Sequence, residues 1–195
     1  IHVDNTYRQQ EMYFSTSNVY EILSKWSVSM SYDFKWNKLN ANMVDFAFPH
    51  RYSNFVSLAT ALTLSRIQAQ ASLVEQVVKD HVKYGASSSS RSTLTPAFFV
   101  NVYPFESKLL AVRAFAKKSF RMPTFNDLYY ADMGNSKLNP ESALQYDLGF
   151  VLNKDWKQGI VDHFRLQVDG YYNTVYDKIV AYPKGQQFRW TMLNL

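Results

Sequence analysis

Apolar and polar residues alternate with a period of two over three stretches of this chain. Trp26, Val28, Met30, Tyr32 and Phe34 are apolar, while Ser27, Ser29, Ser31, Asp33 and Lys35 between them are polar. Such spacing gives a strand one greasy and one wet face. The pattern returns in Leu144, Tyr146, Leu148, Phe150 and Leu152 against Gln145, Asp147 and Asn153, and in Phe164, Leu166, Val168 and Tyr172 against Arg165, Gln167, Asp169 and Asn173. Three strands are therefore expected, with weaker runs predicting others at residues 55–64, 96–103, 109–118 and 188–195. Residues 59–82 fit two periods. Ile67, Ala71, Val74, Val78 and Val82 fall at helical spacing, and their Ala, Leu, Gln and Glu content favours helix, whereas Ile67, Ala69, Ala71 and Leu73 fit a strand. The regularity of the neighbouring strands favours the strand.

The connections between these runs alternate in length. Residues 65–66, 104–108 and 154–160 make short ones, while 36–54, 79–95 and 119–140 make long ones rich in Pro, Asn, Gly and Ser. Short turns at one end and long loops at the other describe an up-and-down outer-membrane barrel; a Greek-key sandwich has no reason to alternate. The expected fold is all-β, an antiparallel up-and-down meander forming part of a transmembrane β-barrel.

Composition narrows the function. Of 195 residues, 16% are aromatic, with 14 Tyr against 6 Gly, which suits pleated surfaces and membrane interfaces. The formal net charge is +5, but the basic residues are scattered and Lys117-Lys118 is their one adjacent pair, so no nucleic-acid partner is expected. There is no cysteine, which removes disulfides, thiolate metal sites and cysteine nucleophiles. No apolar stretch is long enough for a membrane helix, and residues 1–10 do not read as a signal peptide; barrel strands need neither. His2, His50, His81 and His163 lack metal-ligand spacing, and no nucleophile elbow, phosphate loop or dinucleotide fingerprint occurs. Asp162, Asp169 and Asp177 sit on a wet strand face or near strand ends and do not make an acid–base pair. No enzyme, cofactor or metal is expected.

One region carries a longer signature. Phe120-Arg121-Met122-Pro123-Thr124-Phe125-Asn126-Asp127-Leu128-Tyr129-Tyr130 is followed by Gly134-Asn135, by Leu138-Asn139-Pro140-Glu141, and by Tyr146-Asp147-Leu148-Gly149. This order resembles a signature in the barrels of TonB-dependent outer-membrane receptors: Arg-x-Pro-(Thr/Ser)-(Leu/Phe), then Gly-Asn, then Leu-x-Pro-Glu, then a strand with an acidic residue two before a Gly. Its spelling is most similar to cobalamin-type and siderophore-type receptors of the Bacteroidetes. Physically, Pro123 and Pro140 bracket a loop because neither can sit in a central ladder. Asn126, Asp127, Gly134 and Asn135 are turn formers, and Glu141 can pair with a cation such as Arg121.

The resemblance implies active uptake at the Gram-negative outer membrane. A large nutrient complex, whether cobalamin, iron-siderophore, haem or glycan, binds outside loops and lumen, and energy delivered through TonB rearranges a plug. Residues 1–195 would be a barrel fragment, roughly eight or nine strands of about 22, lacking the plug, the segment that engages TonB and the closing strand. Its other expected partner is outer-membrane lipid, and with open edges it would self-associate in water. His81, Tyr84, Tyr129, Tyr130 and Asp132, in two long loops, are the candidates for ligand contact. The rival reading is a soluble β-rich carbohydrate-binding or adhesion module.

Overall fold

The computed structural model describes residues 4–131, 133–156, 160, 162–185 and 189–195. Eight strands follow one another in chain order: β1 (Tyr7–Leu23), β2 (Trp26–Ala41), β3 (His50–Thr63), β4 (Ile67–His81), β5 (Arg91–Val102), β6 (Leu110–Arg121), β7 (Glu141–Asp155) and β8 (His163–Tyr176). Each pairs antiparallel with the next, giving one eight-stranded sheet in the order β1 to β8, open at both edges. A short helix, α1 (Phe125–Tyr129), lies between β6 and β7. After β8 the chain leaves the sheet and makes a separate hairpin of β9 (Ile179–Lys184) and β10 (Arg189–Asn194). The meander is as the alternation predicts, and the ambiguous segment resolves as strand from Ile67 to His81.

Several boundaries differ from expectation, most of them toward longer strands, whereas the run expected at 188–195 gives the shorter β10. Residues 36–54 hold a loop at 42–49 alone, and 79–95 one at 82–90, because β2 to β4 run on for 14 to 16 residues. Two strands carry no clear alternation and escape the pattern: β1 has Tyr13 on one face beside Phe14 on the other, and β9 is only six residues long. Pro96 sits inside β5, opposite Leu73 of β4, and pairing with β6 begins only at Ala97. A proline has no amide to donate, so the β6 ladder stops where it stands.

The register sorts the side chains of the whole sheet. Ser29 of β2 stands beside Ala59 of β3, Ser72 of β4, Ala97 of β5, Lys117 of β6, Gln145 of β7 and Asn173 of β8, all on one face. That polar face also carries cross-strand pairs, Lys35 to Glu11 at 3.0 Å and the Arg113 guanidinium on Asp169. The opposite face is apolar and uncovered: Met30, Leu58, Phe98, Leu148 and Val168 are each about half exposed. Its polar tips satisfy one another, with Trp26 Nε1 donating to Thr60 Oγ1 and Tyr32 Oη to Asn54 Oδ1, both at 2.8 Å.

The buried apolar cluster is not between layers but at one end of the sheet. Leu39, Phe46, Phe125, Leu128, Tyr129, Leu138 and Ile179 form it. Leu39 belongs to the polar face by register, beside Gln9, so the long loops fold inward over that face. The short turns, 24–25, 64–66 and 103–109, and the ends of β7 and β8 that the next connection joins, lie at the other end.

Candidate functional site

The motif-bearing loop is anchored through a buried ion pair that its own residues do not contain. Arg51, near the start of β3, donates from Nε to Asp80 Oδ1 at 2.7 Å and from Nη2 to Asp80 Oδ2 at 2.9 Å; Asp80 lies near the end of β4 and the two are direct cross-strand neighbours. The third arm of the fork, Nη1, donates to the Pro123 carbonyl at 2.7 Å, and the guanidinium sits 5.0 Å from the centre of the Phe125 ring. From the other side, Tyr129 Oη donates to Asp80 Oδ2 at 2.8 Å while accepting the Ser88 amide at 2.9 Å. One carboxylate, with side-chain exposure of 1%, therefore ties together two strands, α1 and the loop at 82–90. Burial pushes the Tyr129 hydroxyl far above its ordinary pKa, and the adjacent Asp80 carboxylate pushes the same way, so the hydroxyl stays a donor.

Residues 123–130 were expected to be loop, and the structure places a helical turn there. The reason is a capping box: Thr124 Oγ1 accepts the Asp127 amide at 3.2 Å, and Asp127 Oδ2 accepts the Thr124 amide at 2.8 Å. The Thr-x-x-Asp spacing is legible in the sequence as a helix start. Arg121 lies between two acids, 3.5 Å from Asp127 Oδ2 and 3.5 Å from Glu141 Oε2, and the same Glu141 oxygen accepts the Ile179 amide. Asn135 donates to the Met192 carbonyl and accepts the Lys137 amide, fastening the β9–β10 hairpin onto the loop. Asn126 begins the helix with Phe125, Pro123 is fully buried, and Pro140 ends the loop one residue before β7.

Two motif glycines answer to space. A Cβ on Gly134 would stand 2.6 Å from the Tyr130 amide nitrogen and 2.8 Å from the Leu128 carbonyl, both backbone. On Gly149 it would meet the side chains of Asp169 and Arg113, the ion pair that crosses β7 at that point. Gly134→Ala is therefore expected to cost about 1–3 kcal/mol, because backbone must move, and Gly149→Ala less, because flexible side chains can turn aside. Denaturant titration of the two variants checks this, and equal losses would contradict it.

The ligand-contact candidates separate in space. Tyr84 and Tyr130 line one recess of about 570 Å³ with Met43, Val44, Asp45 and Ser136. Tyr130 is about a third exposed and stacks on Tyr7 with centroids 4.8 Å apart. Tyr129 borders the recess too, but it is buried and its hydroxyl is committed to Asp80 and Ser88, so it is a strut and not the open platform expected of it. His81 points to the apolar face, packed edge-on against Tyr52, away from the recess. Asp132 lies outside the described residues. Sequence reasoning missed Arg51 and Asp80, which fell in segments read as loop and as ambiguous; continuing the Ser53 phase back two residues places Arg51 on the wet face. Among the described residues no three His, Asp or Glu side chains gather as metal ligands.

The family model of the TonB-dependent receptor-like β-barrel matches residues 4–195. The chain belongs to the TonB-dependent receptor β-barrel family. That membership sets aside the soluble-module reading and makes the family role that of a receptor and transporter. Among curated proteins, a vitamin B12 transporter BtuB of Vibrio vulnificus is 30% identical over 76 residues, 39% of this chain and 11% of that protein. A second BtuB, of Photobacterium profundum, is 49% identical over 39 residues, 20% of this chain and 6% of its own length. Two solved structures share the fold: the copper transporter OprC, with a TM-score of 0.76 at 14% identity over 98% of this chain, and the Serratia marcescens hemophore receptor HasR, in complex with its hemophore and heme, at 0.71 and 12% over 97%. This chain spans 33% and 37% of those two structures.

Proposed function

We propose that this chain is a stretch of the wall and outer loops of an outer-membrane receptor that takes up a large nutrient complex using energy delivered through TonB. The observation that carries the reading is the two-faced sheet with its long loops folded inward over the polar face. On β2 the apolar stripe runs from Trp26 to Trp36, about 33 Å of strand. Tilted by about 40°, that covers about 25 Å, the height of a barrel's lipid-facing band, with an aromatic ring at each border. The polar face then lines a lumen, and the recess between Tyr84 and Tyr130 opens where cargo would arrive. Cargo chemistry consistent with this is a cobalamin, an iron-siderophore, haem or a glycan, since flat rings with hydroxyl tips stack on polycyclic or sugar faces.

The test uses the intact receptor in whole cells. Val44, in the loop at 42–49, is 86% exposed, and Phe105, in the turn at 103–109, is 53% exposed; this chain has no cysteine of its own to interfere. A thiol reagent that cannot cross the outer membrane is expected to label Val44→Cys and spare Phe105→Cys, and the reverse pattern would overturn the orientation. With orientation established, Tyr84→Ala combined with Tyr130→Ala is expected to weaken ligand binding about tenfold, a ring's stacking being worth roughly 0.5–1.5 kcal/mol. Unchanged affinity would remove the recess from the binding site.

A further inference from the structure

Beyond the long-loop end of the apolar stripe, the outward face changes character. The register sets Gln10, Lys38, His50 and His81 side by side across β1 to β4. The neighbouring row carries Trp36, Tyr52 and Lys79, so the basic row lies immediately past an aromatic border. Lys38, His50, His81 and Lys83 line one groove of about 420 Å³ with Phe48. Lys83 is held there by two rings, its Nζ lying 5.8 Å from the centre of Phe48 and 5.1 Å from that of Tyr84, which fixes its ammonium and lowers the entropy lost on pairing. Among the described residues, the nearest carboxylate on this face by register is Glu75, four residues before Lys79 toward the turn end. The carboxylate beside this groove in sequence, Asp80, points to the other face and is spent on Arg51.

A groove of two lysines and two imidazoles, facing outward at the depth of lipid headgroups, is built for a phosphate on a lipid. Cargo would meet the lumen face, and nucleic acid has no access to a surface ringed by apolar strand. We propose that this groove binds a phosphate of the phosphorylated glycolipid that forms the outer leaflet, with Lys38 and Lys83 pairing with its oxygens and His50 and His81 donating at their edges. The proposal rests on the membrane orientation given above.

The experiment takes the intact receptor, reconstituted in phospholipid vesicles free of glycolipid, and measures capture of lipid A, of lipid A stripped of phosphate, and of inorganic phosphate alone. Lys38→Gln with Lys83→Gln is compared with Lys25→Gln and Lys154→Gln, which change the same charge at the turn end. Loss of two surface lysines is expected to weaken lipid A capture roughly fivefold each, about 25-fold together, while the control pair leaves it unchanged. Dephosphorylated lipid A should bind the receptor and the double variant equally. Equal capture by both double variants overturns the proposal, and displacement of lipid A by millimolar inorganic phosphate overturns the lipid as its ligand. Insertion is scored separately, by the gel mobility shift of unheated receptor. Failure to insert overturns the membrane reading and the groove with it, whereas insertion with unaltered capture overturns the groove alone.

Discussion

Replacing Asp80 by Ala is expected to destabilise the receptor by about 3–5 kcal/mol and to open its loop end to protease. The size follows from what is left behind. Arg51 keeps its charge at a side-chain exposure of 11%, and of its donors only Nη1, to Pro123, retains a partner. Tyr129 loses the acceptor for its proton, in a position where burial already holds that proton firmly. Breaking one side of a buried pair costs more than the pair is worth, because the surviving charge can neither reach water nor find a counter-ion. The double variant Arg51→Met with Asp80→Leu is therefore expected to lose less than Asp80→Ala alone. Denaturant unfolding of the three receptors, with limited proteolysis within residues 122–140 as a local readout, checks both statements. A loss under about 1 kcal/mol for Asp80→Ala, the range of exposed pairs, would show that the site is wetter than the structure makes it.

The contrast between the wall and the loop cluster explains what the sequence reveals. The strands that alternate clearly, β2, β7 and β8, do so because one face meets nonpolar surroundings and the other polar ones along their whole length, and period two records that without reference to any partner. The strand β1 is an edge of the described sheet, with Tyr13 and Val19 on the polar face opposite Lys35 and Ser29, so its two faces differ too little for periodicity to find it. The loop cluster is different in kind. Arg51 and Asp80 meet only because β3 and β4 pair in one register, and α1 reaches them only because residues 122–140 fold back over the polar face. No local spacing encodes a contact between residues 51, 80 and 129. What the resemblance to the receptor signature did identify was the loop itself: Pro123 and Pro140 bound it, and Gly134 permits a close backbone approach within it. That the same loop needs a strand-borne salt bridge to hold its shape is a property of the fold.

Met30→Arg is expected to cost about 2–4 kcal/mol in lipid, and Ser29→Arg much less, although the two positions are adjacent. Met30 lies near the middle of the stripe between Trp26 and Trp36, on the uncovered face beside Asn18 and Leu58. A guanidinium there is too deep to snorkel to either border, and the residues directly beside it, Asn18 and Leu58, offer it no carboxylate. Ser29 faces the other way, between Val19 and Ala59, small enough neighbours to let a long side chain extend along the polar face toward solvent. The two variants introduce the same side chain and the same charge one residue apart, so the difference reports chiefly the surroundings of each face. Unfolding of the intact receptor by guanidinium in phospholipid vesicles gives the comparison directly. The same pair measured in detergent with a wetter, thinner apolar shell should show a smaller gap, since the cost belongs to the depth of hydrocarbon and not to lost packing. Equal costs at residues 29 and 30 in vesicles would mean that both faces meet comparable surroundings, and the apolar stripe would then need a protein partner in place of lipid.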